Sequence, residues 1–274
     1  VTYRPARVID EDLAAAVKSG NIELALILLK GGAKPEAMRP ARTPLLDACQ
    51  FYPELIDPLM EAGASLEPYL YDVGSGRIKG VLSFAIQEET GASIEALRKH
   101  GLDFAKHSDA LFDAVSKVSL HENIRRAIEL GGNPNCMIGD RQCRPLHMAA
   151  FFGHPKNAQA LIDGGALLDA RHLAFARDAE TRGPNSGSTP LKFAGHQGHL
   201  KVMKVLLEAG ASVDEGMMDS AYWGTVKHDP EVTSEVVRLV SSYAIRQSIR
   251  DAMSTDDLPT GVQGRLSPAD PNPL

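Results

Sequence analysis

The sequence is poor in the residues that usually fill a core. A single Trp and only 5% aromatic residues among 274 leave Ala, Leu, Val and Ile to do the packing. That composition suits short helices set close together. Three cysteines are too few for a disulfide framework and point to a reducing compartment, so a cytoplasmic location is expected. No apolar run is long enough to cross a bilayer; the longest spans residues 24–29, so membrane insertion is not expected. An excess of positive charge is missing too. Lys and Arg number 29 against 35 Asp and Glu, for a net charge of −6, which excludes a nucleic-acid binder that works by whole-surface attraction. The sequence starts at Val1 where an initiator Met is expected, so an upstream targeting segment stays open.

Catalytic signatures are missing as well. No metalloprotease helix, phosphate loop or nucleophile elbow occurs; His121-Glu122 lacks a second His four residues on. Gly74-Ser75-Gly76 with Gly80 has the wrong spacing for a dinucleotide loop. It reads as the turn of a long finger, with residues 69–73 returning as 77–80. Catalytic residues, cofactors and bound metals are accordingly not expected.

What is there is a phrase that recurs. Arg144-Pro145-Leu146-His147-Met148-Ala149-Ala150-Phe151-Phe152-Gly153-His154 is echoed by Thr189-Pro190-Leu191-Lys192-Phe193-Ala194-Gly195-His196-Gln197-Gly198-His199. Anchored on Ala16, Ala48, Ala85, Ala114, Ala149 and Ala194, the copies step by 32, 37, 29, 35 and 45 residues, in the range of stacked helical repeats. Thr189 suits a helix N-cap and Pro190 the first helical position. Gly198 then breaks the first helix, a Val/Leu run forms a second, and Gly210 suits a left-handed stop. The spacing predicts helix pairs at 11–19 and 21–31, 44–51 and 54–62, 81–88 and 92–100, 109–117 and 121–130, 145–152 and 155–163, and 190–197 and 200–208. Residues 231–253 read as an amphipathic helix that, with 217–227 (Tyr222 and Trp223 included), caps the stack. The array with its caps is expected over 1–253, with an insertion near 167–188, and 254–274 reads as a flexible Pro-containing tail.

Pro145-Leu146-His147 and Thr189-Pro190-Leu191, each followed by a pair of small residues, Gly-His and an apolar run, with an ending such as Gly131-Gly132-Asn133-Pro134-Asn135, together resemble the ankyrin repeat with its Thr-Pro-Leu-His start. The resemblance covers about residues 10–215, with copies one to four degenerate, Arg144 in place of Thr and Lys192 in place of His. It implies an all-α repeat solenoid of stacked helix-turn-helix units with β-hairpin-like finger loops. It also implies a non-catalytic scaffold that binds another protein through its concave face of fingers and first helices. Structural roles are implied for His147, His154 and His199.

The candidate contacts are the two residues ahead of each inter-helix turn, which ankyrin proteins present to the groove. Here they are Lys18 and Ser19, Gln87 and Glu88, Ser116 and Lys117, Phe151 and Phe152, and His196 and Gln197. Two adjacent aromatics at such a pair are hot-spot candidates, unless Leu168, Leu173 and Phe175 of the insertion fold over them as a local core. Arg141, Arg144, Phe151, Phe152, His196 and Gln197 form the expected binding set. The finger charges Arg39, Arg42, Arg77, Lys79, Arg171, Arg177 and Arg182 read as ordinary solvated loops, with an anionic ligand or acidic partner surface as the other reading. Cys136 and Cys143 read as thiols, with a cross-finger disulfide or a metal cluster with His147 or His154 as alternatives; the spacing matches no established zinc pattern. Two other functions stay open. One is an enzyme or small-molecule binder with a pocket near 141–182, the other a bacterial immunity or effector protein.

Overall fold

The computed structural model describes residues 6–36, 42–67, 70–72, 77–137, 143–172, 187–213 and 230–254. Among the described residues six helix pairs follow one another: α1 (Ala6–Lys18) and α2 (Ile22–Lys30); α3 (Pro44–Phe51) and α4 (Ile56–Glu61), the latter entered through a 3₁₀ turn; α5 (Val81–Ala85) and α6 (Ala92–Lys99). Then come α7 (Ala110–Val115) and α8 (His121–Glu129), α9 (Pro145–Phe152) and α10 (Pro155–Asp163), and α11 (Pro190–Gln197) and α12 (Leu200–Glu208). First helices pack on first helices and second on second down the chain. The result is an all-α repeat solenoid. A long helix, α13 (Pro230–Ser254), packs on α12 and buries Val236 and Val240.

Each second helix stops in the same way. Gly32, Gly63, Gly101, Gly131, Gly165 and Gly210 all adopt positive φ, a conformation that disfavours any side chain. The N–H of the next residue returns to a carbonyl in the last turn, as in Ala33 to Leu28, Ala166 to Leu161 and Ala211 to Leu206 (2.9–3.0 Å). This satisfies the carbonyls that a helix end leaves over. Leu59, Leu97, Leu161 and Leu206 are fully buried in the second-helix layer, and Leu45, Leu82, Leu111 and Leu191 in the first-helix layer. Each such side chain contributes about 1.5–3 kcal/mol relative to exposure.

One finger is described on both arms. β1 (Leu70–Asp72) pairs antiparallel with β2 (Arg77–Lys79), with Leu70 opposite Lys79. Elsewhere a side chain of one repeat ending catches a backbone N–H of the next. Asn135 Oδ1 accepts from Leu167 (2.8 Å) and Asp169 Oδ1 from Ser212 (2.9 Å). The segment expected as an insertion begins in this regular way, and an antiparallel bridge between His172 and Ser188 closes its base. Residues 173–186, with Leu173, Phe175, Arg177 and Arg182, lie outside the described residues, as do Arg39, Arg141, Tyr222, Trp223 and the 255–274 tail.

Three expected boundaries need correction. The first helix begins at Ala6 rather than residue 11. α5 ends at Ala85 rather than 88, because Glu88 turns inward: its carboxylate accepts from the N–H groups of Thr90 (2.7 Å) and Ser93 (3.4 Å) at the start of α6. Burial pushes that carboxyl up, but the Thr90 hydroxyl and the N–H groups of Thr90, Ser93 and Ala92 outweigh it and hold it below the usual range. α7 ends at Val115, with the Ser116 hydroxyl turned back onto the Asp113 carbonyl (2.8 Å).

Candidate partner-binding site

The end of each first helix is where side chains leave the stack. Phe151 and Phe152 finish α9, and 39% and 38% of their surfaces stay in solvent. Their rings meet edge to face at 5.4 Å. Phe151 also meets Phe193 of the next repeat (6.4 Å), and Phe152 stacks on His154 (6.1 Å). Beside them His196 is exposed and Gln197 half-buried at the end of α11. Phe151, Phe152, His196 and Gln197 therefore come together on two adjacent first helices.

The remaining pair positions do not form one class. Lys18, Ser19, Ser116 and Lys117 are exposed, and Lys117 Nζ donates to Gln87 Oε1 (2.8 Å). Glu88 is buried and belongs to the α6 cap, so it offers nothing to a partner. Arg144 is half-buried and its guanidinium donates to the Asn135 carbonyl, which makes it a clasp across the base of its finger. Sequence reasoning missed Phe51, the last residue of α3, with 57% of its surface exposed. The signal was present: Phe51 stands eight residues after Thr43, as Phe152 does after Arg144.

The ends of the first helices, that of α9 with its aromatics included, are held by the following repeat. His154 Nδ1 donates to the Val115 carbonyl (2.8 Å) and His199 Nε2 to the Phe151 carbonyl (3.0 Å). Asn157 Nδ2 reaches the carbonyls of Val115 (3.3 Å) and Lys117 (2.7 Å). Asn123 does the same for Ile86 (3.1 Å) and Glu88. Lone carbonyls at a helix end are costly when buried, so these side chains fix the angle of each first helix against the next repeat. His147 holds the start of α9. Its Nδ1 accepts from the Arg144 N–H (3.3 Å) and its Nε2 donates to the Ala170 carbonyl (2.9 Å). Burial pushes this imidazole down to about 4, so it is neutral at pH 7.

A family model for ankyrin repeats matches residues 111–216 in three copies. Residues 111–216 are a run of ankyrin repeats. The solenoid is similar to the human ASB11 ankyrin repeat domain, with a TM-score of 0.63, 18% identity, and 83% of this chain and 96% of that one covered. It is also similar to the ankyrin repeat domain of Bcl-3, with a TM-score of 0.60, 21% identity, and 83% and 97% covered. A curated relative, palmitoyltransferase AKR1 of Lachancea kluyveri, is 27% identical over 56% of this chain. The match spans 25% of that palmitoyltransferase. Ankyrin repeats generally mediate protein–protein interaction, and the fold is typically non-catalytic.

Other features of the array have defined places. The Cys136 thiol points at the Ser108 carbonyl (3.2 Å) and that of Cys143 at the Arg144 carbonyl (3.9 Å); all three cysteines are held as thiols. Burial pushes the Cys143 thiol up to about 11 and raises that of Cys49 as well. No group of three or more His, Cys, Asp or Glu among the described residues is placed to hold a metal ion. A cleft of about 620 Å³ lies between residues 207–213 and Tyr243, Arg246, Gln247 and Arg250. Among the described residues no helix is long and apolar enough to cross a membrane.

Proposed function

We propose that this chain is a non-catalytic recognition scaffold that holds another protein against the exposed ends of its first helices. The carrying observation is the solvent-exposed Phe151–Phe152 pair, flanked by His196 and Gln197 and echoed by Phe51 on α3. Large apolar rings in solvent are unfavourable for an isolated protein, and rings fixed on a rigid array lose little freedom when a partner covers them. His154, His199 and Asn157 supply that rigidity. Arg144 contributes from the finger base, where its guanidinium is already engaged, and Arg141, which lies outside the described residues, completes the proposed set. A cytoplasmic protein partner fits the three thiols and the net negative charge, and nucleic acid does not.

The test is affinity capture from native extract with the wild-type chain and with the Phe151→Ala, Phe152→Ala double variant. Removing two hot-spot rings is expected to cost about 2–4 kcal/mol of binding, a loss of roughly thirtyfold or more in retained partner. The far-UV circular dichroism spectrum should not change. Undiminished capture, or loss of helical signal, overturns the assignment.

A further inference from the structure

The first repeat carries a second, separate apolar surface. Leu24 stands eight residues before the left-handed Gly32 that closes its repeat. The equivalent residues in the next five repeats are Leu55, Ser93, Asn123, Asn157 and Val202, and every one is buried. Asn123 and Asn157 show what they are buried against, since both donate to carbonyls of the preceding repeat. This position is therefore the stacking face toward the N-terminal neighbour. In the first repeat Leu24 is 40% exposed. Ile27, one helical turn on, is 65% exposed, whereas its counterpart Ala160 is buried and Arg126 reaches back to Glu95 and the Thr90 carbonyl. α2 thus keeps an apolar stacking face with nothing stacked on it among the described residues.

The charges around that face indicate what covers it. Glu23 lies in the first turn of α2 and Lys30 in the last, both exposed. The i, i+4, i+7 spacing sets Glu23, Ile27 and Lys30 along one stripe. Seven residues separate the two charges by about 10 Å along the axis. A second α2 laid antiparallel across a two-fold axis puts Glu23 of each chain beside Lys30 of the other, with Leu24 and Ile27 between them. Opposed helix dipoles add to the match. A face carrying this reversed charge pattern is what a second copy of the same chain presents.

We propose that the chain pairs head to head through the outer face of its first repeat, α2 against α2, leaving the first-helix ends of both copies open. The test is size-exclusion chromatography with light scattering on the full chain over a range of concentrations. The mass is expected to rise from 29.5 kDa toward twice that value. Ile27→Glu should weaken pairing at least tenfold. Glu23→Lys alone, which sets like charges together, should weaken it about tenfold, and adding Lys30→Glu should restore it. All these positions are exposed, so the circular dichroism spectrum should stay unchanged, and the Phe151→Ala, Phe152→Ala variant should pair like wild type. A constant 29.5 kDa at every concentration, pairing indifferent to Ile27→Glu, or failure of the double charge swap to restore what the single swap lost overturns the proposal.

Discussion

Asn157 is the most informative residue to perturb in the stack. It is completely buried, and its amide nitrogen is shared between the carbonyls of Val115 and Lys117 in the preceding repeat. In Asn157→Ala the Val115 carbonyl keeps His154 Nδ1 at 2.8 Å, whereas the shorter bond to Lys117 is lost outright. One net hydrogen bond contributes about 1 kcal/mol, and a carbonyl left without a donor costs about 1–3 kcal/mol more. Lys117 is exposed, so water recovers part of that penalty. The Asn157 side-chain oxygen accepts no hydrogen bond, so its removal sacrifices nothing. The expected loss is therefore about 1–2 kcal/mol. Asn157→Asp should be worse, at about 3–5 kcal/mol, because it buries a carboxylate against two carbonyl oxygens. Urea unfolding followed by far-UV circular dichroism measures both. Asn123→Ala, with the same two-carbonyl arrangement on Ile86 and Glu88, should match Asn157→Ala. If Asn157→Asp falls within about 0.5 kcal/mol of wild type, an ordinary surface value, the two-carbonyl latch does not hold the repeats.

Acid should weaken the fold through His147. Burial lowers its folded-state value to about 4 from the usual 6.5, so between those pH values the unfolded chain binds more protons than the folded one. Stability from this group is complete above about pH 6.5 and is lost as pH falls toward 4, by about 3 kcal/mol over the window. His147→Gln should flatten the pH dependence of the urea midpoint between pH 6.5 and 4; an unchanged slope would show that His147 does not titrate on unfolding.

The pairs α9–α10 and α11–α12 begin and end where the Thr/Arg-Pro, Gly-His and Gly-Gly or Ala-Gly signals put them. Those signals act locally: proline starts the helix and a left-handed glycine ends it. The third repeat was less legible because its boundary is tertiary. Glu88 continues a helical pattern in sequence, yet in the fold it caps α6 and its carbonyl accepts from Asn123, thirty-five residues away. Arg144 reads as a surface cation but is drawn to the Asn135 carbonyl across its own finger. Phe51 was obscured because Tyr52 replaces the glycine that marks the turn in the fifth and sixth copies. The latch residues Asn123 and Asn157 carry a signal only once the second helices are aligned on Gly131 and Gly165.

Hydrogen exchange on the complex with the captured partner tests the central claim most directly. The account predicts added protection at the ends of the first helices, in peptides covering residues 48–52, 148–154 and 193–198, with the second helices unchanged. Protection confined to α8, α10 and α12, with the Phe151–Phe152 peptide exchanging as in the unbound chain, would contradict it.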